Sequence, residues 1–207
     1  SLGANLDWLR AWPQRHEFNL ARSGPAACPE TTYSFDVAPV HFVALNEYCD
    51  ADGDASTDGD ISPLLYDWLA SDLGAATQPY TFVIGHEPAY PQPDADLGGP
   101  ARHLGDSLDK YPENRDRFWA LLAREGVTAY LTGHTHAFSA YFKDGVWQID
   151  AGHARGAGDT SLPSTFLVID VTRQAVLLRV YRGAADYTLW HTFVLVGKAL
   201  YLPLVAR

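Results

Sequence analysis

The hydrophobic pattern along the chain changes period several times, which predicts alternating strands and helices followed by strands alone. Short apolar, β-branched and aromatic runs indicate strands, whereas apolar residues spaced three and four apart indicate amphipathic helices. Predicted strands cover residues 33–37, 41–46, 80–85, 127–132, 138–142, 146–150, 166–171, 175–181 and 189–196, and predicted helices cover residues 63–73 and 115–124. The strand–helix–strand order predicts a parallel crossover. The predicted fold class is therefore α/β (α+β), with an all-β carboxy-terminal part.

Two of the predicted strands end in a glycine followed by histidine. Residues 80–86 end in Gly-His, and residues 127–136 end in Gly-His-Thr-His. A glycine there lets the backbone turn sharply and lets a ligand approach closely. Because ligands of open α/β sheets bind beyond the carboxyl ends of the strands, we expect His86, His134 and His136 to meet. Imidazole is the commonest ligand for transition metals, so the pattern favours a metal site over three unrelated surface histidines.

These motifs resemble a known family of enzymes. GHEP at 85–88 and GHTH at 133–136, in this order, look like the last two metal motifs of the calcineurin-like metallophosphoesterases, which include purple acid phosphatase-like enzymes. The resemblance extends through YSFDVAPVHFVALNEY at 33–48 and DGVWQIDAGHARG at 144–156. It covers roughly residues 33–156.

The resemblance implies a fold, a reaction and a set of site residues. The fold would be a sandwich of two sheets flanked by helices. Two divalent metal ions (Fe, Zn or Mn) would polarise a phosphoester and lower the pKa of a bridging water. By motif position, His86 and His134 would bind one metal and His136 the other. His153 and Arg155 are candidate catalytic residues, because their glycine-rich loop resembles a family loop near the metals.

The family pattern also contains three earlier motifs, Asp-x-His, Gly-Asp-x-x-Asp or Tyr, and Gly-Asn-His, and none of them precedes Tyr33. The chain contains no methionine, even at position 1. We therefore expect a processed or truncated chain with about half of a two-metal site. A missing amino-terminal segment, covalent or associated, would complete it, and the isolated chain would be inactive. The alternative is a non-catalytic binding or assembly module of an extracellular structure, in which exposed sheet edges allow self-association.

The long irregular stretch 87–114 follows His86 and is expected to lie over the metal site. Within it, Arg102, His103 and Lys110 are candidate contacts for the phosphate of a phosphorylated small molecule or another phosphoester substrate. Solvated surface charges are the alternative reading of each.

The acidic segment 49–61 partly matches a calcium-binding loop. Asp54, Asp58 and Asp60 take positions 1, 5 and 7 of an EF-hand pattern, but Leu65 stands where the bidentate glutamate is needed. A calcium ion (Ca2+) held by these aspartates is one interpretation, and a solvated acidic loop is the other.

The two cysteines, Cys28 and Cys49, flank the first predicted hairpin. Antiparallel pairing would bring them close, which favours a disulfide over two unpaired thiols. A disulfide indicates an oxidising compartment, so we expect a secreted, periplasmic or cell-surface protein.

Length and net charge bear on the number of domains and on the classes of partner that the chain can bind. The 207 residues suggest one domain, at 33–207, preceded by a lid or edge segment at 1–32. The formal net charge of −10 argues against binding to nucleic acid or an anionic membrane, because both need clustered lysine and arginine. It does not argue against a phosphorylated substrate, since bound metal ions invert the local charge.

Overall fold

The computed structural model of the protein describes residues 22–49, 59–154, 161–184 and 186–197. Its strands are β1 (Arg22–Ser23), β2 (Tyr33–Val37), β3 (Val40–Ala44), β4 (Tyr80–Ile84), β5 (Ala129–Thr132), β6 (Phe138–Lys143), β7 (Val146–Ala151), β8 (Ser164–Val171), β9 (Val176–Gly183) and β10 (Thr188–Val196). Its helices are α1 (Pro63–Leu73) and α2 (Pro112–Arg124), with a 3₁₀ turn at Leu108–Lys110. All predicted strands and helices are present, and their ends differ from the prediction by three residues at most. Strand β1 was not predicted.

A seven-stranded mixed sheet organises the molecule, with strand order β1-β2-β3-β4-β5-β7-β6. Strands β3, β4, β5 and β7 run parallel to one another, as the strand–helix–strand pattern predicted. Their carboxyl ends therefore lie along one edge of the sheet. The predicted hairpin is also present, because β2 pairs antiparallel with β3.

Each face of this sheet has its own hydrophobic core. On one face lie the helices, and this core contains Val43, Leu65, Leu69, Val83, Phe118, Leu121, Leu122 and Tyr130. On the other face lies a three-stranded antiparallel sheet of order β10-β9-β8, and this core contains Val40, Phe82, Ala129, Phe138, Ile149, Val176, Leu178 and Val180. The layers are thus helices, a mixed sheet and a second sheet.

Cys28 and Cys49 form the expected disulfide, with Cα atoms 5.9 Å apart. The bond closes a separation of 21 residues. Chain-entropy arguments give such a loop a stabilisation of roughly 3 kcal/mol. It ties the chain after β3 to the segment before β2.

Part of the predicted lid or edge segment lies outside the residues that the structure describes. Of the lid or edge segment 1–32, the structure describes residues 22–32, in which β1 pairs with β2 at the end of the sheet. Among the helices described, none is long and apolar enough to cross a membrane.

A partly buried polar cluster lies at the opposite end of β3 from the predicted metal site. The His41 ring nitrogens lie 2.7 Å from Asp36 and 3.0 Å from Asp72. The hydroxyl of Ser34 donates to Asp72 over 2.7 Å, and the guanidinium of Arg22 lies 3.6 Å from the same carboxylate. The hydrogen bond to Asp72 is the largest contribution to a raised pKa of His41, and it outweighs the desolvation that would lower this pKa.

This cluster predicts a pH-dependent stability. Because the pKa of His41 is higher in the folded state than in the unfolded chain, its stabilisation is complete below the unfolded value of about 6.5. It is lost as the pH rises through the folded value. We expect the free energy of unfolding to fall over this range, and the fall to be smaller in His41→Gln. Urea melts at a series of pH values measure it, with the exposed His191→Gln as control; equal pH slopes in wild type and His41→Gln would contradict the prediction.

Candidate metal centre

The two Gly-His motifs converge at the carboxyl edge of the seven-stranded sheet. His86 follows β4, and His134 follows the adjacent parallel strand β5. The Nδ1 atom of His134 lies 3.2 Å from the Nε2 atom of His86, and their ring centroids are 5.0 Å apart. The backbone N–H groups of Gly133 and His134 both donate to the carbonyl of His86 over 3.1 Å. Parallel pairing therefore brings these two imidazoles together.

His136, two residues further along the same turn, lies beside a different histidine. Its ring centroid is 6.1 Å from that of His153, which follows β7. His153 is buried, and its Nε2 lies 3.1 Å from the carbonyl oxygen of Leu162. Arg155, the other candidate in that loop, lies outside the described residues. The histidines thus form two neighbouring pairs.

The backbone geometry corrects the role expected for the glycines. In the GHTH turn, the residue in the left-handed region is His136, with φ of 58°, and Gly133 is not in that region. Gly85 is required for a different reason. A Cβ atom there would overlap the carboxyl group of Glu47 and lie 2.5 Å from the hydroxyl oxygen of Tyr130. Close approach of a buried acid, rather than a sharp turn, demands this glycine.

The long loop between β4 and α2 brings one of its three candidates to the histidines. The ring of His103 lies 4.2 Å, centroid to centroid, from that of His134. The Nδ1 atom of His103 is 3.1 Å from a carboxylate oxygen of Asp106. Lys110 instead lies 5.7 Å from the ring centroid of Tyr111. Arg102 directly precedes His103 and is half-buried.

The electrostatics favour neutral imidazole at His86. Burial lowers its pKa, and the nearby rings of His134, His136 and His103 lower it further, while Glu87 opposes them. Metal ligation requires a deprotonated ring nitrogen. The surroundings of His86 therefore keep it in the form that binds a metal.

A buried acid, Glu47, accepts hydrogen bonds from the backbone that follows β4. One of its carboxylate oxygens accepts hydrogen bonds from the backbone N–H groups of His86, at 2.9 Å, and Glu87, at 2.8 Å. The other accepts a hydrogen bond from the hydroxyl of Tyr130. Burial raises the pKa of Glu47 to about 7. Glu47 thus fixes the backbone that carries His86.

A second buried acid, Glu87, lies beside it. One oxygen accepts from the Tyr48 hydroxyl at 2.6 Å and from the backbone N–H of Gly59 at 2.9 Å. The other, Oε2, is buried and has no hydrogen-bond partner among the described residues. An open cleft of about 350 Å³ adjoins these residues at the ends of β3 and β4, and its lining includes Asn46, Tyr48 and His86.

The GHTH turn is held by a buried carboxylate in β7. Asp150 accepts a hydrogen bond from the Thr135 hydroxyl over 2.8 Å and from its backbone N–H over 3.2 Å. It also accepts from the N–H of Gly152 over 2.9 Å. Because Thr135 separates His134 and His136, these bonds fix both histidine backbones.

The acids that were not predicted from the sequence as site residues include Glu47, Asp106 and Asp150. The position of Asp150 at the end of the apolar run 146–150 was a signal, because a charged residue in a buried strand needs partners. Nothing in the local pattern distinguishes Asp106 from other loop acids. Glu47 follows an apolar strand, but its burial depends on the neighbouring strands.

The calcium interpretation stays a prediction. Asp54 and Asp58 lie outside the described residues. The carboxylate of Asp60 accepts hydrogen bonds from the N–H of Ile61 at 2.7 Å and from the side-chain amide of Asn114 at 2.8 Å.

The donor set formed by the strand ends and the long loop fits a divalent transition metal. Within the part of the chain that the structure describes, one group of three or more metal-ligating side chains has its ligand atoms within 4.8 Å of one another, namely His103, Asp106 and His134. His86 adjoins it through His134. Imidazole nitrogen with a carboxylate oxygen suits zinc, iron and manganese.

Comparison with known proteins finds relatives among plant phosphatases. No model of a protein family matches the chain. Purple acid phosphatase 22 and Purple acid phosphatase 18 of Arabidopsis thaliana are each 32% identical to it, over 112 and 109 residues. These stretches cover 53% and 51% of the chain and 21% of each relative. The chain thus spans about one fifth of the length of these relatives.

Three solved structures have a similar fold. The purple acid phosphatase PPD1 from yellow lupin (Lupinus luteus) seeds matches with a TM-score of 0.56 at 14% identity, covering 88% of this chain and 35% of that one. PhoD matches with a TM-score of 0.55 at 14% identity, covering 93% and 49%. GAP50, described as the anchor in the inner membrane complex of Plasmodium, matches with a TM-score of 0.53 at 15% identity, covering 81% and 53%. At these identities the likeness is one of fold.

Proposed function

We propose that this chain, whose fold is metallophosphoesterase-like, is part of a metal-dependent phosphoester hydrolase. One observation carries the proposal. His86 and His134, on the ends of adjacent parallel strands, present ring nitrogens 3.2 Å apart. Two imidazoles at that separation can bind the same metal ion. The relatives named purple acid phosphatases support the reaction class.

In this proposal each histidine pair serves one position of a two-metal centre. His86 and His134 hold the first divalent ion, and His136 contributes to the second. Bound ions would supply Lewis-acid stabilisation of the phosphoryl oxygens and would lower the pKa of a coordinated water. The chain's own contribution is to orient the rings. Glu47 fixes the backbone of His86, and Asp150 fixes the turn between His134 and His136.

The substrate would be a phosphorylated small molecule or another phosphoester. His103 and Arg102 lie on the loop beside His134 and are the proposed contacts to phosphate oxygens. Lys110 is a third candidate, farther along that loop. The overall charge of −10 does not oppose such a substrate, because the bound ions would make the site locally positive.

A complete two-metal centre also needs a carboxylate that bridges the ions. Among the described residues, the one carboxylate grouped with the histidines is Asp106. We propose that the bridging aspartate lies on an upstream segment, covalent or associated. The disulfide supports an oxidising location, and hence a secreted, periplasmic or cell-surface protein.

Hydrolysis assays test the proposed reaction. The product of the gene at its full length is stripped of metal, reconstituted with zinc, manganese or iron, and given p-nitrophenyl phosphate and its bis-ester. We expect turnover that depends on added metal, with little turnover by the 207-residue chain alone. No turnover by the full-length product with any of these metals would overturn the proposal. Robust turnover by the 207 residues would refute the requirement for an upstream segment.

The second candidate is a non-catalytic binding or assembly module, with calcium bound in the acidic segment. It is favoured by the shortage of carboxylate ligands among the described residues and by the likeness in fold to GAP50. Its exposed sheet edges would allow self-association. Full-length protein that binds metal, associates and has no esterase activity would support it.

A further inference from the structure

The loop between β4 and α2 delivers two groups to His134 that the strand-end motifs do not contain. The ring of His103 lies 4.2 Å from that of His134, centroid to centroid. The ligand atoms of His103, Asp106 and His134 all lie within 4.8 Å of one another. The strand ends and the loop thus place the imidazoles of His86 and His103 each beside that of His134.

Hydrogen bonds determine which nitrogen of His134 is available to a metal. Its Nε2 atom lies 2.9 Å from the backbone carbonyl oxygen of Asp106. A carbonyl oxygen only accepts, so Nε2 carries the proton and Nδ1 of the neutral ring carries the lone pair. That Nδ1 atom is the one facing His86 Nε2 at 3.2 Å. A ligating histidine whose other nitrogen donates to a backbone carbonyl is the usual arrangement at metal sites.

The same residue orients His103 through its side chain. The Nδ1 atom of His103 lies 3.1 Å from a carboxylate oxygen of Asp106. The carboxylate accepts, so Nδ1 carries the proton and Nε2 keeps the lone pair. His103 is also in the left-handed region, with φ of 57°, which few residues other than glycine adopt. The loop therefore holds this ring in a defined orientation beside His134.

In place of the phosphate contact considered above for His103, we propose that this ring is a third imidazole ligand of the ion bound by His86 and His134, and that Asp106 is the positioning residue for His103 and His134. The inference rests on the proposed function, because two of its ligands are the histidines assigned there to the first metal. Three protein ligands with one open position are typical of catalytic zinc sites. The loop would then complete a mononuclear site from residues of this chain alone.

Cobalt binding without substrate separates a ligand from a phosphate contact. The 207-residue chain is titrated with Co²⁺ in phosphate-free buffer, following the absorption of the bound ion. We expect His103→Ala to bind Co²⁺ on the order of 100-fold more weakly and to change its spectrum. The exposed His191→Ala, on β10, should bind as wild type does. Circular dichroism confirms that each variant is folded.

Nitrogen-15 spectra of the histidine rings test the role of Asp106, because a loop residue with a purely structural role would not affect which ring nitrogen is protonated. We expect a protonated Nδ1 on His103 and a protonated Nε2 on His134 in the metal-free chain. Asp106→Ala should remove the preference of His103 for a proton on Nδ1, and Asp106→Asn, which keeps an oxygen acceptor, should restore this preference. The preference at His134 should persist in both variants, because its acceptor is a backbone carbonyl.

The outcomes distinguish this proposal from the one on which it rests. Unchanged Co²⁺ affinity and spectrum in His103→Ala, with binding lost in His134→Ala, overturns the third ligand and leaves the proposed metal centre standing. Unchanged ring protonation in Asp106→Ala overturns the positioning role. Wild-type chain that binds no Co²⁺ overturns this inference, whereas full-length protein that binds none overturns the metal centre itself.

Discussion

Replacing His134 by alanine is expected to abolish metal binding at low metal concentrations, together with any metal-dependent hydrolysis. Zinc held by four protein ligands is bound by about 10–16 kcal/mol, so one imidazole contributes on the order of 2.5–4 kcal/mol. The affinity should therefore fall roughly 100- to 1,000-fold. Calorimetric titration of the metal-free chain with zinc measures the change.

Two comparisons support the interpretation of this loss. His134 makes its contacts through exposed ring atoms, so its removal should leave the free energy of unfolding almost unchanged. His191→Ala removes an exposed histidine from the second sheet and should retain wild-type affinity. A His134→Ala protein that binds zinc as tightly as wild type would show that this ring is not a ligand.

Replacing Arg182 by methionine is expected to destabilise the fold by about 3–5 kcal/mol, because it leaves a buried carboxylate without its charge partner. Arg182 on β9 makes two hydrogen bonds to Asp94, of 2.8 and 2.6 Å, and both side chains are buried. Burial would raise the pKa of Asp94, but hydrogen bonds from Arg182 and the loop backbone outweigh it and lower this pKa. Asp94 also accepts from the N–H of Phe138 at 3.2 Å. The pair therefore joins the second sheet, the long loop and the strand that follows the GHTH turn.

Arg179 on the same strand provides a matched control. Its pair with Asp170 has a nitrogen–oxygen distance of 2.6 Å, but the two side chains are 39% and 44% exposed. Exposed pairs contribute about 0–1 kcal/mol, so Arg179→Met should have a small effect. Urea melts give both values. Equal destabilisation by the two substitutions would contradict the account. It would also be contradicted if the double variant Asp94→Asn/Arg182→Met lost as much free energy of unfolding as the two single variants together.

The parts of this molecule that sequence could predict are those with a local periodic signal. The runs 80–85 and 127–132 are apolar and end in Gly-His, and parallel strand order alone places their ends together. Helix α1 was predicted to the residue, because Ser62 and Pro63 mark its start. The convergence of His86 and His134 follows from these elements.

The remaining contacts depend on tertiary placement. The 28 residues after His86 have no hydrophobic period, so nothing along the chain indicated that His103 and Asp106 would lie against His134. The burial of Arg182 could be anticipated from the sequence, because it falls on the same face of β9 as Val176, Leu178 and Val180. A charge on that face requires a buried partner, but the alternation of β9 does not identify Asp94.

The central claim is that the rings of His86 and His134 share one divalent ion at the carboxyl edge of the sheet. Crystals of the chain grown with zinc, with diffraction data recorded on both sides of the zinc absorption edge, test it directly. The account predicts an anomalous peak about 2.0–2.1 Å from Nε2 of His86 and Nδ1 of His134. Rings that point away from each other, or a zinc peak that touches neither nitrogen, would contradict it.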